Sequence, residues 1–172
     1  MARLYYSGVS TMRETLPEVQ IGKLLRERGL TLALAESCTG GLVSDRVTNI
    51  PGSSAYFRGG VVVYAYEAKV SILHVSWDTL NQFGAVSEQT VLEMARGART
   101  ALSADIAASI SGIAGPGGGT ESKPVGTVWL ALAASQGEWT RSQYFSGNRI
   151  QIKAASAGAA LHFVLDYLEG KL

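Results

Sequence analysis

The sequence holds one cysteine, Cys38, so it cannot close an internal disulfide, and it has no C-x-x-C pair of the kind that holds structural zinc. A lone thiol fits a reducing compartment, and the expected location is the cytoplasm. Histidine is nearly as scarce, with only His74 and His162. No cluster of histidine, cysteine and carboxylate has metal-ligand spacing, so neither a metal nor a cofactor is expected. Charged residues make up 17% of the chain and the net charge is +1 with no basic or acidic block, which argues against nucleic-acid and membrane-surface partners. No apolar run approaches the roughly 20 residues of a membrane span. The first residues lack the apolar core and cleavage site of a signal peptide.

What is present is apolar and small. Hydrophobic residues make up 47% of 172 positions, enough for one globular domain with a sizeable core. Residues 1–14 show no period and are expected to form a leader, with a single domain over 15–172. Pro17 suits a first helical position, Val19, Leu24 and Leu25 follow at helical spacing, and Gly29 closes the helix. LALAESCTGG at 32–41 runs from apolar to small and polar, and Leu42, Val43, Arg46, Val47 and Ile50 then recur near helical spacing. This predicts a buried strand, a tight turn and a helix start. VVVYAY at 61–66 reads as a strand, and Glu67 to His74 as a helix carrying Lys69. Ser87 is an N-cap for a helix with Val91, Leu92, Met94, Ala95 and Ala98. Asp105 to Ser111 is a second buried strand, followed by the glycine-rich loop GIAGPGGGTESK at 112–123. VGTVWLALAA and EWTRSQYFSG form a hairpin around Gln136-Gly137. The last helix starts near Asn148, with Ile150, Ala154, Ala157, Leu161, Val164 or Leu165, and Leu168 as its buried face. The alternation predicts a three-layer α/β/α sandwich whose mixed, mostly parallel sheet carries an antiparallel strand.

Two glycine-rich turns follow buried strands, after Ala35 and after Ser111. In open α/β sheets ligands bind outside the carboxyl ends of the strands, and backbone N–H groups there suit a phosphate or an oxyanion. Neither turn is a P-loop or a G-x-G-x-x-G fingerprint. Taken alone, packing explains the first turn as well as a ligand does, and a long mobile loop explains the second. Ser37, Cys38 and Thr39 are the candidate nucleophiles. His74 ends a short helix and His162 lies inside the last one, so a Ser-His-Asp triad is disfavoured. Lys69 is the alternative base if burial lowers its pKa, with Tyr64 shortly before it. Spacing alone favours a surface lysine and a core-edge tyrosine. Cys38, at a helix N-terminus, is the competing thiolate nucleophile. Arg149 reads equally as an anion ligand or as half of a surface salt bridge.

AESCTGG at 35–41, PGSSAYFRGGVVVY at 51–64, EAK at 67–69, GAVSE at 84–88, GIAGPGGGTESKPVGTV at 112–128 and FSGNR at 145–149 together resemble the CinA C-terminal domain family. The resemblance runs from about residue 17 to the end. It implies an activity like that of stand-alone members, which are similar to nicotinamide-nucleotide amidohydrolases. These convert nicotinamide mononucleotide to nicotinic acid mononucleotide and ammonia, in pyridine nucleotide salvage. By the same resemblance Ser37 is the nucleophile, with Tyr64 and Lys69 activating it. Cys38, Thr39, Gly40, Gly41, Gly112, Ala114, Gly115, Gly117, Gly118 and Arg149 would bind substrate. A homo-oligomer, with a dimer favoured, is also implied. The molybdopterin-binding-like domain found elsewhere in the family has no room in 172 residues. The chain departs from the family pattern at Ala65-Tyr66, where Ser-Asn is frequent, and at His74, Ser111 and Asn148, where Gly, Thr and Asp are common. A catalytically inactive nucleotide-binding regulatory protein of the same fold is the rival reading, and a Cys38 thiol enzyme a third.

Overall fold

Along Leu32–Glu36 (β1) every residue is buried, yet successive side chains serve different layers. Leu32 and Leu34 join one apolar cluster, whereas Ala33 and Ala35 join another. Only a strand covered on both faces needs this pattern. The computed structural model describes residues 15–172, so the expected leader at 1–14 lies outside the described residues. The helices are α1 (Pro17–Arg28), α2 (Leu42–Thr48), α3 (Tyr66–Leu73), α4 (Trp77–Phe83), α5 (Glu88–Ala101) and α6 (Arg149–Leu168). The remaining strands are β2 (Phe57–Val62), β3 (Ile106–Gly112), β4 (Thr127–Ala134) and β5 (Gly137–Tyr144). The sheet order is β2-β1-β3-β4-β5. β1 pairs parallel with β2 and β3, whereas β3–β4 and β4–β5 are antiparallel. Four strands therefore point one way and β4 alone reverses, as the alternation predicts.

α1, α2 and α6 cover the face that carries Leu32, Leu34, Ile106 and Leu130. α3, α4 and α5 cover the face that carries Ala33, Ala35 and Ala107. Small residues on that second face let α5 lie close to the strands. Among the described residues no helix is long and apolar enough to cross a membrane.

Several expectations need correction. The strand expected at 61–66 is β2 at Phe57–Val62, so Tyr64 lies beyond it, in the link to α3. Gly59 and Gly60 are weak strand formers, but pairing with β1 overrides their propensity. α4 was not expected. Its residues carry no clear apolar period, and it is set by the Ser76 N-cap, whose side chain accepts from Asp78 N–H. The hairpin turn is Ser135-Gln136, one residue earlier than expected, because Ala134 pairs with Gly137. On α6 the buried face begins with Ile152 and Ser156, whereas Ile150 is 78% exposed and Ala154 is also exposed. Ile150 and Ala154 instead line an open cavity beside Gly40 and Gly41, so the period inferred from the apolar residues is out of phase there.

The approach of α3 to α5 is close enough to test. An ideal Cβ at Gly97 would sit 2.1 Å from the Leu73 carbonyl oxygen, a backbone atom with no side-chain freedom to withdraw. Gly97→Ala is expected to destabilise the fold by about 3 kcal/mol or more, through overpacking, despite alanine's better helix propensity. A fall in the urea midpoint is the readout, and an unchanged or raised midpoint would contradict this packing.

Candidate active site

The site is built where three parallel strands end side by side. The register pairs Glu36 with Val62 on one side and with Ile110 on the other. One residue further on, Ser37 N–H donates to Ile110 O at 3.0 Å, and Val63 N–H donates to Glu36 O at 2.9 Å. By strand alternation the Ser37 side chain falls on the Ala33/Ala35 face, under α3. There it meets Lys69, which is fully buried. Lys69 Nζ lies 3.0 Å from Ser37 Oγ, 2.7 Å from Val63 O and 3.1 Å from Tyr64 O.

These three partners define what the amine can do. A neutral amine has two N–H groups and one lone pair. Two carbonyl acceptors and one hydroxyl match that inventory, with the Ser37 O–H donating to the lone pair. Burial pushes Lys69 from 10.5 down to about 8, because its charged form is desolvated. An appreciable fraction is therefore neutral near physiological pH, as a general base requires. Turnover at low substrate should rise with pH and level off above about 8. The folded pKa lies below the unfolded value, so the unfolded chain binds more protons across the interval between them. This group's contribution to stability should therefore rise with pH from about 8 to 10.5 and be flat outside that window. The check is the pH dependence of the urea midpoint for wild type minus Lys69→Met.

Glu36, on the opposite face, is also fully buried and fixes the turn that carries Ser37. Its carboxylate accepts from Thr39 Oγ1 (2.7 Å), from the N–H groups of Gly41 (3.0 Å), Val43 (3.1 Å) and Ser44 (2.8 Å), and from Ser44 Oγ (2.7 Å). Of the N–H groups at the start of α2 that were expected to face a ligand, those of Val43 and Ser44 are thus taken by Glu36. Among the described residues, the N–H groups of Cys38 and Thr39 donate to no other residue. They are candidate donors to an oxyanion beside Ser37.

A cavity of about 200 Å³ opens over the pair. Ser37, Cys38, Lys69, Ser111, Gly112 and Ala114 line it, with Tyr64, Arg149, Ala85 and Val86 completing its wall. The Tyr64 side chain is not at the base of the pair: the residue is 60% exposed, and its hydroxyl accepts from Arg149 Nη2 at 2.8 Å. Tyr64 meets Lys69 through its backbone carbonyl. Arg149 Nη1 donates to Gly115 O at 2.7 Å, so Arg149 straps the glycine-rich loop to Tyr64 and, among the described residues, forms no carboxylate salt bridge. Tyr66, at a departure from the family pattern, accepts from Ala85 N–H at 3.2 Å and so supports the opposite wall.

Thr39 is buried against Glu36, while Gly40 and Gly41 line a neighbouring open cavity of about 570 Å³ with Asp45, Ile150 and Lys153. Gly117 and Gly118 are exposed on the loop and do not line the smaller cavity. Cys38 lines it, but burial pushes its thiol up to about 12. Burial therefore works against the thiolate that a helix N-terminus would favour. Sequence reasoning missed Glu36, Ser111, Ala85 and Val86. A signal for Glu36 was available: a carboxylate at an inward position of an otherwise apolar strand demands donors.

A turn-borne serine at the carboxyl end of a parallel strand, backed by a buried lysine, defines an α/β sandwich with a Ser–Lys site. Residues 14–168 match the CinA C-terminal domain, and the chain belongs to that family. The nicotinamide-nucleotide amidohydrolase PncC of Escherichia coli K12 is 53% identical over 143 residues, covering 83% of this chain and 87% of that protein. A putative competence-damage inducible protein of Halothermothrix orenii is 51% identical over 156 residues, which cover 90% of this chain but only 38% of that longer protein. The crystal structure of a CinA superfamily protein from Klebsiella pneumoniae 700603 superposes with a TM-score of 0.86 at 36% identity, covering 90% of this chain and 96% of that one.

Proposed function

We propose that the protein hydrolyses the carboxamide of nicotinamide mononucleotide to nicotinic acid mononucleotide and ammonia, a salvage step for pyridine nucleotides. The observation that carries this is the 3.0 Å contact between a fully buried lysine amine and the Ser37 hydroxyl inside a cavity. The 53% identity to a nicotinamide-nucleotide amidohydrolase over most of both chains supports the substrate.

Ser37 Oγ attacks the carboxamide carbon while its proton passes to Lys69 Nζ. The carbonyl becomes an oxyanion held by the N–H groups of Cys38 and Thr39. The C–N bond then breaks, the protonated Lys69 gives its proton to the departing nitrogen, and ammonia leaves an ester on Ser37. Water attacks that ester, losing its proton to Lys69. Collapse frees the carboxylic acid, and Lys69 returns the proton to Ser37 Oγ. One water is consumed, and Lys69 ends as it began.

The test is incubation of purified protein with nicotinamide mononucleotide, following ammonia and nicotinic acid mononucleotide together. Equimolar formation of both is expected. Tight binding with no ammonia would overturn the proposal in favour of a regulatory nucleotide-binding protein.

A further inference from the structure

We infer that Lys153 makes this site selective for nucleotides: its ammonium holds a phosphate monoester in the open cavity beside the Ser37–Lys69 pocket. The inference rests on the amidohydrolase reading of that pocket, because it assigns the part of the substrate that lies outside it.

The cavity over Ser37 and Lys69 measures about 200 Å³, below the roughly 300–1,000 Å³ of pockets that enclose a whole ligand. It takes an aromatic carboxamide, and the sugar and phosphate of a nucleotide then lie beyond it. The turn that carries Ser37 leads from this cavity into the next. Ser37 and Cys38 line the first, whereas Thr39, Gly40 and Gly41 line the open cavity of about 570 Å³. α6 follows the same path. Arg149 lines the small cavity, and Lys153, four residues on and so on the same helix face, lines the large one.

The other donors nearby are engaged. Arg149 donates to Gly115 O and to the Tyr64 hydroxyl. At the start of α6 the N–H groups of Ile150 and Gln151 donate to the Asn148 cap, and at the start of α2 Glu36 takes those of Val43 and Ser44. Lys153 differs. It is half-buried, and among the described residues it makes no hydrogen bond and no ion pair. Its Nζ stands over the turn, 3.5 Å from where a Cβ on Gly40 would sit. Leu42, Ile150 and Ala154 add apolar wall, and the one acidic group of the cavity, Asp45, is beyond ion-pair reach of Lys153 and accepts from Asn49 Nδ2 at 3.1 Å. An ammonium has three N–H donors and no acceptor, so its ligand must bring oxygens. A phosphate monoester brings three, with close to two negative charges at neutral pH. No bond to Lys153 forms or breaks in turnover, and it keeps its proton throughout.

The test compares nicotinamide mononucleotide with nicotinamide riboside, which has the same ring, carboxamide and ribose but no phosphate, and follows ammonia from each. Lys153→Met is expected to raise KM for the mononucleotide about 10- to 100-fold, the scale of a hydrogen bond between charged groups, with kcat kept within a few-fold and riboside turnover unchanged. Lys153→Arg, which keeps the charge, should hold KM near the wild-type value. Asp45→Asn removes the negative charge of the cavity and should lower that KM about twofold. An unchanged KM in Lys153→Met, an equal loss on both substrates, or a raised KM in Asp45→Asn would overturn the inference alone. Calorimetry with the product tests the same point without turnover: Lys153→Met should bind nicotinic acid mononucleotide about 10- to 100-fold more weakly than wild type. Wild-type protein that shows this difference but releases no ammonia would overturn the amidohydrolase reading and uphold the phosphate site. Wild-type protein that binds no product would overturn both.

Discussion

Ser37→Ala is expected to lower ammonia release from nicotinamide mononucleotide by about 10,000-fold or more, the range seen when a serine nucleophile is removed. The hydroxyl is the only atom lost, and it sits where the turn held by Glu36 presents it. The oxyanion donors, Arg149 and the cavity walls all remain, so nucleotide binding should persist within a few-fold. Lys69 keeps its two carbonyl partners, so melting temperature should change little. Loss of turnover with retained binding is the signature of a nucleophile. Full turnover by Ser37→Ala would refute the assignment, and loss of both activity and fold would show Ser37 to be structural. Cys38→Ala should retain activity within a few-fold, since the Cys38 thiol is held far above neutrality.

Lys69→Met is expected to remove about 100- to 10,000-fold of turnover, the usual worth of a positioned acid–base group. Methionine keeps a flexible apolar chain of similar length and lacks the amine. Two opposing effects act on stability. The carbonyls of Val63 and Tyr64 lose their donor, which costs on the order of 1–3 kcal/mol for each group left dry. Removal of a buried ammonium offsets part of that cost below pH 8, where the wild-type amine is charged in both states. Stability should therefore fall modestly, whereas activity should collapse. The residual rate should also lose the rise through pH 8 that the neutral amine gives the wild type. A variant that keeps that pH profile would place the titrating group elsewhere.

Much of this architecture is legible in the residues. The apolar runs at 32–36 and 106–111 mark the central strands, and the two glycine-rich stretches that follow them do lie at one end of the sheet. The sequence pattern sets β2 late because Gly59 and Gly60 interrupt it with weak strand formers, which are held in the strand by pairing with β1. The apolar pattern is out of phase in the first turns of α6 because Ile150 and Ala154 line an open cavity and not the core. In the site, Ser37 and Lys69 are 32 residues apart, and only the fold brings them within 3.0 Å. The resemblance groups Tyr64 with them; its side chain stands at the cavity wall, where its hydroxyl accepts from Arg149, and it meets Lys69 through its backbone carbonyl. The use of the α2 N–H groups by Glu36 depends on which way one side chain points, which no local pattern reveals. Ser111 was invisible as a site residue for a related reason: a serine in a buried strand is ordinary, and only the fold shows that it lines the cavity beside Ser37.

The central claim is that Ser37 carries an acyl group during turnover, and partitioning with hydroxylamine tests it most directly. With nicotinamide mononucleotide and increasing hydroxylamine, an ester on Ser37 is intercepted. The account predicts a hydroxamate formed at the expense of nicotinic acid mononucleotide, with ammonia release sustained and both products absent in Ser37→Ala. Ammonia release that yields only the acid at every hydroxylamine concentration would mean that water attacks the amide directly, and would contradict the account.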